Sequence, residues 1–270
     1  MNIVEKIVEK IKEKVDVKPN ATAVILGKSF DDFMDKIEDK FVLPFSEIPE
    51  LKTFGKDKNN LFVFGKIGGK DVVIVFGRIH YNLGYDYNDS AVLIYVLKEL
   101  GCSELILTTS VGSLNPKIKV GDIVTAVDHI NLTGRNPLYK NFYDKYGNAF
   151  VDMTDAYNLK MIDEFSFVAK TKLGIKIKKG VFVEFAGPTV ETPSESKFAR
   201  QIGGDFTGFN VVCETIACKY CGLPVVLIGL VTNYASFMSS GKIKHEDIVY
   251  NRKCASSYFY ELLYNLTQRV

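Results

Sequence analysis

The chain has 270 residues, enough for one large α/β domain or two small ones with a substantial core. Its 34 Lys and Arg residues nearly balance its 32 Asp and Glu residues, which argues against a nucleic-acid partner, and no apolar run reaches the roughly 18 residues of a membrane span. Five cysteines are an odd number for a disulfide framework, so we expect a cytoplasmic protein with no membrane partner.

The first predicted element is an amphipathic helix over residues 2–15. Apolar residues recur there at helical spacing, separated by Glu and Lys, at Ile3, Val4, Ile7, Val8, Ile11 and Val15. We expect this helix to dock on the surface of the domain.

Seven strands and five further helices follow in the predicted order. Apolar, β-branched runs bounded by Gly or Pro predict strands at Ala21–Gly27, Leu61–Gly65, Val72–Gly77, Leu105–Thr109, Ile123–Val127, Val181–Ala186 and Val225–Val231. Helical patterns cover Asp89–Leu100, Asp155–Leu173, Ser194–Ile202, Val211–Cys221 and His245–Leu266. The alternation predicts one α/β domain over residues 1–270, with helices covering a mostly buried sheet.

Polar motifs follow five of the predicted strands. They are Gly27-Lys28-Ser29, Arg78-Ile79-His80, Thr109–Ser113, Gly187–Thr192 and Thr232-Asn233. Because the ends of parallel strands open onto a crevice, we expect these motifs to form one composite site.

Arg78 and His80 are separated by one residue, so their side chains are predicted to project to the same side at a strand end. A guanidinium beside an imidazole suits an oxyanion such as phosphate. Taken alone, the pair is equally compatible with a structural salt bridge.

Two other groups of residues are predicted to be structural. The segment Cys218-Lys219-Tyr220-Cys221 has the spacing of a redox or metal motif, but no second Cys pair completes a zinc site. We therefore expect both cysteines to be buried on a helix. His129, within Asp128-His129-Ile130-Asn131, is predicted to be a hydrogen-bonded structural residue.

Two segments carry a family resemblance. Thr109-Ser110-Val111-Gly112-Ser113-Leu114-Asn115-Pro116, continuing to Asp128–Asn131, and Ala186-Gly187-Pro188-Thr189-Val190-Glu191-Thr192-Pro193 resemble signature segments of the trimeric purine nucleoside phosphorylases. The resemblance runs in order from about Gly27 to Ile248. It implies a homotrimer with a single-domain α/β fold, in which helices flank a mixed sheet. It also implies that phosphate cleaves inosine- or guanosine-type nucleosides to free base and ribose 1-phosphate, with no metal or other cofactor.

The resemblance assigns phosphate binding to Lys28, Ser29, Arg78, His80, Ser110 and Asn210. Here the chain departs from the family pattern, because Lys28 and Ser29 replace a Ser and a Gly, and Asn210 replaces a Ser. Lys28 could supply a compensating cation, or the loop Gly27–Asp32 could have lost phosphate binding.

The resemblance assigns the purine base to Glu191 and Asn233, with Thr232, Val190 and Gly112 around them. Glu191 would accept a hydrogen bond from N1–H of a 6-oxopurine, and Asn233 would donate one to N7 as negative charge develops on the leaving base. Together with His80, these two residues form the implied catalytic group. Related 6-aminopurine enzymes carry an aspartate at the position of Asn233.

The ribose is assigned to Asn82, Phe209 and His245, together with Tyr146 from a neighbouring subunit. His245 favours an ordinary nucleoside, since relatives that cleave methylthio-nucleosides need an apolar residue at that point. If Tyr146 completes a neighbour's pocket, the active enzyme must be an oligomer.

Three alternative functions remain open from the sequence. Methylthioadenosine phosphorylase is favoured by Thr109 and opposed by Asn233 and His245. A nucleoside hydrolase would admit water where the altered loop Gly27–Asp32 no longer holds phosphate. A nucleoside-binding protein without catalysis would keep the base pocket and lack the anion site.

Overall fold

The computed structural model of the chain describes residues 2–26, 31–52, 54, 60–139, 144–239, 241 and 245–268. Its helices are α1 Ile3–Lys12, α2 Pro49–Lys52, α3 Val92–Glu99, α4 Leu159–Leu173, α5 Pro193–Gln201, α6 Val211–Cys221 and α7 His245–Thr267. Its strands are β1 Thr22–Leu26, β2 Glu38–Pro44, β3 Leu61–Ile67, β4 Lys70–Phe76, β5 Glu104–Ser113, β6 Ile123–Asn131, β7 Lys178–Glu184, β8 Phe206–Gly208 and β9 Val225–Tyr234.

The described strands form one mixed sheet in the order β2-β3-β4-β1-β5-β8-β7-β6-β9. Strands β2, β3 and β4 are antiparallel to one another, whereas β1 is parallel to both β4 and β5. Strand β9 pairs with β6 and also, in parallel, with β5. The last five strands in the order therefore close into a ring, and the predicted single α/β domain with a mixed, mostly buried sheet flanked by helices is confirmed.

The core is built around β1 and β5, which lie in the middle of the sheet. Four of the five residues of β1 are buried, as expected for a strand that pairs in parallel with a neighbour on each side. The apolar runs that predicted these strands reflect this burial. Nearly all residues of α6 are also buried, so this helix lies inside the domain.

The N-terminal helix α1 is shorter than predicted. Asn2 caps it by accepting a hydrogen bond from the Glu5 amide at 3.0 Å, while the Glu5 carboxylate accepts one from the Asn2 amide at 3.1 Å. The helix then ends at Lys12, so Val15 lies beyond it. Its apolar stripe is buried against α3 and neighbouring elements, as the pattern predicted, at Val4, Ile7, Val8 and Ile11.

Several predicted boundaries were wrong. Strand β5 continues to Ser113 and β9 to Tyr234, so two of the polar motifs lie within strands and do not follow them. Helix α3 begins at Val92, because a 3-10 turn occupies Tyr87–Ala91. Helix α4 begins at Leu159, because Asn158 caps it. The strands β2 and β8 were not predicted.

The longest described helix is α7, with 23 residues. It packs against β9 and α4. Within the described ranges, no helix combines the length and the apolar character that crossing a bilayer requires.

The packing of α1 gives a test of the fold. Ile7 is fully buried, so Ile7→Ala should lower the free energy of unfolding by about 2–5 kcal/mol, the usual cost of such a core truncation. Lys6→Ala, at the exposed neighbouring position, should change it by less than about 0.5 kcal/mol. Urea unfolding followed by circular dichroism measures both. A loss below about 1 kcal/mol for Ile7→Ala would mean that α1 is not part of the core.

Candidate functional site

The pairing of β5 with β9 brings four of the predicted site residues together. The two strands run in parallel with an irregularity after Val111, beyond which Gly112 faces Asn233. A Cβ atom at Gly112 would lie 3.0 Å from the Asn233 Nδ2 atom. Glycine is therefore required for this close approach, and a larger residue would push the amide away from its position. Ser110 and Thr232 lie on the same pair of strands.

Hydrogen bonds fix the orientation of the Asn233 side chain. The Thr232 hydroxyl donates to Asn233 Oδ1 at 3.0 Å, and Asn233 Nδ2 donates to the Tyr234 carbonyl at 3.0 Å. Asn251 on α7 donates to the Thr232 carbonyl at 2.8 Å and so ties the end of β9 to the last helix. Because Nδ2 has two hydrogens, one remains to donate to a ligand.

Glu191 lies in the loop between β7 and α5, with only 8% of its surface exposed. The Ser236 hydroxyl donates to the Glu191 carbonyl at 2.7 Å and joins this loop to the chain after β9. Burial raises the pKa of the Glu191 carboxyl group, and hydrogen bonds from the backbone at Glu191 and Ser236 partly oppose the increase. The neighbouring Val190 is 45% exposed, so it borders the site as an apolar surface.

Arg78 follows β4 and is buried in an ion pair. Its Nε donates to Glu214 Oε1 on α6 at 2.8 Å, and its Nη2 donates to the Thr108 carbonyl of β5 at 2.7 Å. The structural salt bridge left open by the sequence therefore exists, and it holds the guanidinium just beyond β4, beside the middle of β5. Burial raises the pKa of Glu214, whereas the charge of Arg78 lowers it.

His80 lies two residues further on, half-buried, where a 3-10 turn begins at Tyr81. The intervening residue, Ile79, accepts a hydrogen bond from the Ser90 hydroxyl at 2.8 Å, which fixes this segment. Ser110 is half-buried on β5, two residues beyond the Thr108 carbonyl that holds Arg78. The structure thus brings Arg78 close to the strand that carries Ser110.

Asn210 immediately precedes α6 and has a left-handed backbone with φ of 72°. Its side chain makes no capping hydrogen bond, and its buried Oδ1 atom has no partner within the described part of the chain. An unpaired buried amide is costly, so this geometry fits a residue that binds a ligand. The assigned Lys28 and Ser29 lie outside the described residues.

Phe209 links two loops of the site. A Cβ atom at Gly187 would lie 3.2 Å from the Phe209 ring, so the ring rests directly on the backbone of the loop that carries Glu191. For two further predicted ribose residues, the position along the backbone locates them in the fold. Asn82 is the middle residue of the 3-10 turn Tyr81–Leu83, and His245 is the first residue of α7.

Tyr146, which the resemblance assigns to a neighbouring subunit, makes contacts within its own chain, and its assignment to a neighbour's pocket stays a prediction. Its hydroxyl donates to the Glu99 carboxylate in the same chain, and its ring packs against Tyr95 and Tyr220 at centroid distances of 6.2 and 5.8 Å. Among the described residues between β6 and α4, two aromatic residues are exposed, Tyr139 with 77% and Phe150 with 94% of the surface accessible.

Two predicted structural roles are confirmed. His129 Nδ1 lies 3.1 Å from the Tyr157 hydroxyl, and burial lowers the pKa of the imidazole. Cys218 and Cys221 are buried free thiols on α6. A search of the described ranges finds no group of three or more His, Cys, Asp or Glu residues that could hold a metal ion.

The sequence analysis did not single out the carboxyl group of Glu184. This residue ends β7 and is fully buried. Its Oε2 accepts a hydrogen bond from the Val212 amide at 2.7 Å, and its Oε1 accepts one from the Tyr87 hydroxyl at 3.2 Å. The signal was a single acidic residue inside the apolar run Val181–Ala186.

Known proteins share both the sequence pattern and this architecture. The family model of the phosphorylase superfamily matches residues 22–267. Purine nucleoside phosphorylase 1 of Geobacillus stearothermophilus is 31% identical over 227 residues, which cover 84% of this chain and 82% of that protein.

Two solved structures of a Schistosoma purine nucleoside phosphorylase superimpose on nearly the whole chain. The hypoxanthine complex has a TM-score of 0.92 and the guanosine complex a TM-score of 0.91. Each is 27% identical to this chain and covers 99% of it, and this chain covers 96% of each. The extent of these matches shows that the chain belongs to the phosphorylase superfamily, among the purine nucleoside phosphorylases.

Proposed function

We propose that the protein uses phosphate to cleave 6-oxopurine nucleosides such as inosine and guanosine, and releases the free base and ribose 1-phosphate. The observation that carries this proposal is the oriented amide of Asn233 near the end of β9, together with the buried carboxyl group of Glu191 in a loop that Ser236 joins to the chain after β9. A 6-oxopurine offers N1–H to the carboxylate and N7 to the amide. Hypoxanthine and guanosine, the ligands of the Schistosoma structures, are both 6-oxopurine compounds.

Phosphate is the co-substrate in this proposal. Arg78 supplies a permanent charge whose position is fixed by Glu214, while His80, Ser110 and Asn210 supply further hydrogen bonds. Lys28 and Ser29 remain assigned to phosphate from the sequence. A phosphate oxygen attacks the anomeric carbon as the bond to the purine N9 breaks, and the bonding electrons move into the purine. No metal or other cofactor takes part.

Stabilisation of the departing base is the main electrostatic task. Negative charge spreads over the purine ring as the sugar becomes oxocarbenium-like, and the remaining Nδ2 hydrogen of Asn233 donates to N7. Since Thr232 and Gly112 fix the amide before substrate binds, little reorganisation is needed in the transition state.

We also propose that the protein acts in the cytoplasm as a homotrimer. Four buried cysteines are free thiols, at Cys102, Cys213, Cys218 and Cys221, as suits a reducing compartment. The exposed side chain of Phe150 offers apolar surface to a second copy of the chain, and Tyr146 remains assigned to a neighbour's ribose pocket from the sequence. Exposed aromatic side chains of this kind are enriched at subunit interfaces.

Dependence on phosphate tests the reaction class. Purified protein should release hypoxanthine from inosine only when phosphate is added, and ribose 1-phosphate should appear in equal amount. Release followed by absorbance, with the sugar product identified by chromatography, gives the answer. Equal release in phosphate-free buffer with free ribose as product would identify a hydrolase, and no release in either buffer would leave only a binding function.

The pH dependence tests Glu191. Its carboxyl group must be ionised to accept a hydrogen bond from N1–H. Because its pKa is raised, kcat/KM for inosine should begin to decrease, as the pH is lowered, at a pH above the usual pKa of a glutamate. Glu191→Gln should lower kcat/KM at pH 7.5 by about tenfold or more, the loss of a charge-assisted hydrogen bond. This acid limb should be absent from its profile. Glu9→Gln, at an exposed position on α1, should keep the parent profile, and a parent-like profile in Glu191→Gln would remove Glu191 from the base site.

The choice of base tests Asn233. Asn233→Asp keeps the acceptor that Thr232 uses but replaces the amide donor by a carboxylate. This change should weaken inosine cleavage and improve adenosine cleavage relative to it, because a carboxylate accepts from a 6-amino group and repels a 6-oxo group. The measured quantity is the ratio of kcat/KM for the two nucleosides. Asn20→Asp, at an exposed position, is the matched control, and an unchanged ratio in Asn233→Asp would show that the base lies elsewhere.

A further inference from the structure

The start of α6 is capped by an unusual residue. Helices usually begin with a residue whose side chain accepts a hydrogen bond from an amide of the first turn. Asn210 occupies this position but makes no such bond. A residue distant in the chain supplies the acceptor instead: Glu184, at the end of β7, accepts a hydrogen bond from the Val212 amide through Oε2 at 2.7 Å.

Glu184 also holds the segment that follows Arg78 and His80. Its Oε1 accepts from the Tyr87 hydroxyl at 3.2 Å, and the Tyr87 ring packs against Tyr81 at 5.0 Å between centroids. The Tyr81 hydroxyl in turn donates to the Phe185 carbonyl, one residue after Glu184. One buried carboxyl group therefore connects the turns after His80 to the start of α6.

The helix that Glu184 caps carries two parts of the phosphate site. Asn210 precedes its first residue, and Glu214 lies in its first turn, where it holds Arg78 Nε at 2.8 Å. A shift of the α6 start would move the amide and the guanidinium together. We propose that Glu184 is a positioning residue for phosphate, and that it acts through α6 on Asn210 and on the Glu214–Arg78 pair. This inference rests on the proposed function for its kinetic part only.

The charge state of Glu184 adds a pH dependence to this role. Burial raises the pKa of Glu184 to about 8, with the Glu214 carboxylate adding to the increase and hydrogen bonds from Val212 and Tyr87 opposing it. Glu184 is therefore largely neutral at pH 7. Above pH 8 it ionises, and this adds a negative charge at the start of α6, next to the proposed phosphate site.

The other titratable groups around Glu184 do not compensate this charge. Among the described residues that interact with it electrostatically, Tyr81, Tyr87, Tyr157 and Cys213 have raised pKa values and stay neutral through this range, and Glu214 is acidic. The nearby cation Arg78 is already paired with Glu214. Ionised Glu184 should thus weaken phosphate binding.

Two variants separate the cap from the charge. Glu184→Gln keeps an acceptor for Val212 and stays neutral at every pH, so its KM for phosphate should match the parent within about twofold below pH 7. Above pH 8.5 the parent value should rise at least threefold relative to this variant. Glu184→Leu removes the acceptor, and it should raise KM for phosphate about tenfold at pH 7 with less than a twofold change in KM for inosine. Glu164→Gln, at the surface of α4, is the control.

Unfolding and phosphate binding give readouts that need no turnover. Because the folded pKa of Glu184 exceeds its unfolded value, the native state loses stability as pH rises from about 4.5 to about 8. The melting temperature of the parent should therefore fall relative to Glu184→Gln over this range. The rise of melting temperature with added inorganic phosphate gives the phosphate affinity. The affinities of the parent and the variants should rank in the same order as their KM values for phosphate.

The outcomes distinguish the two proposals. Phosphate affinity that depends on Glu184 in a protein that does not cleave inosine would overturn the proposed function and keep the positioning role. The positioning role would be overturned if Glu184→Leu changed the KM values for phosphate and inosine equally. It would also be overturned if the ratio of the parent's KM for phosphate to that of Glu184→Gln stayed constant from pH 6 to 9.5. If Glu184→Leu does not fold, the pH series of Glu184→Gln decides.

Discussion

The site depends on the long parallel pairing of β5 with β9. Nine residue pairs join the two strands in register, with one irregularity between Val111 and Gly112. That irregularity brings the Gly112 backbone against the Asn233 amide. Because the same pairing closes the ring of five strands, the backbone that carries the Asn233 amide and the core of the domain are stabilised by the same backbone hydrogen bonds. The position of Asn233 therefore cannot change without disturbing the sheet.

A second constraint concerns charge within the interior. Arg78, Glu214 and Glu184 are all almost fully buried, and buried charge is costly unless it is paired. Arg78 and Glu214 compensate each other's charge in an ion pair, and burial raises the pKa of Glu184 to about 8, which favours its neutral form. Among these three groups Arg78 is the positive one, and Glu214 on α6 sets the direction of its guanidinium.

The sequence predicted the fold well where burial determines it. The apolar runs of β1 and β9 and the pattern of α6 are direct consequences of packing on all sides, and their positions were found within a few residues. The ends of β5 and β9 were misplaced, because Ser, Gly and Asn are typical of loops and only closure of the ring keeps them in strands. Strand β2 was missed since five of its seven residues are exposed.

For the site, the order of motifs along the chain was sufficient to name Arg78, Glu191 and Asn233, and the structure brings them to one end of the sheet. Their partners could not be predicted, because Glu214 lies 136 residues from Arg78 in the chain. Tyr146 illustrates the same limit. An aromatic residue in a polar loop fits an interface equally well, and only its contact with Glu99 shows that it packs within its own chain.

Closure of the ring also determines where a further strand could pair with the sheet. Since β9 pairs with β5, the described strands leave one open edge, along β2. That edge exposes Phe41 and Val42, each with more than a third of its surface accessible. Three exposed charged residues precede them, Glu38, Asp39 and Lys40, and the pairing with β3 is irregular there. Charges and bulges of this kind hinder a foreign strand from adding to an edge, so this short segment protects the protein against polymerisation in a crowded solution.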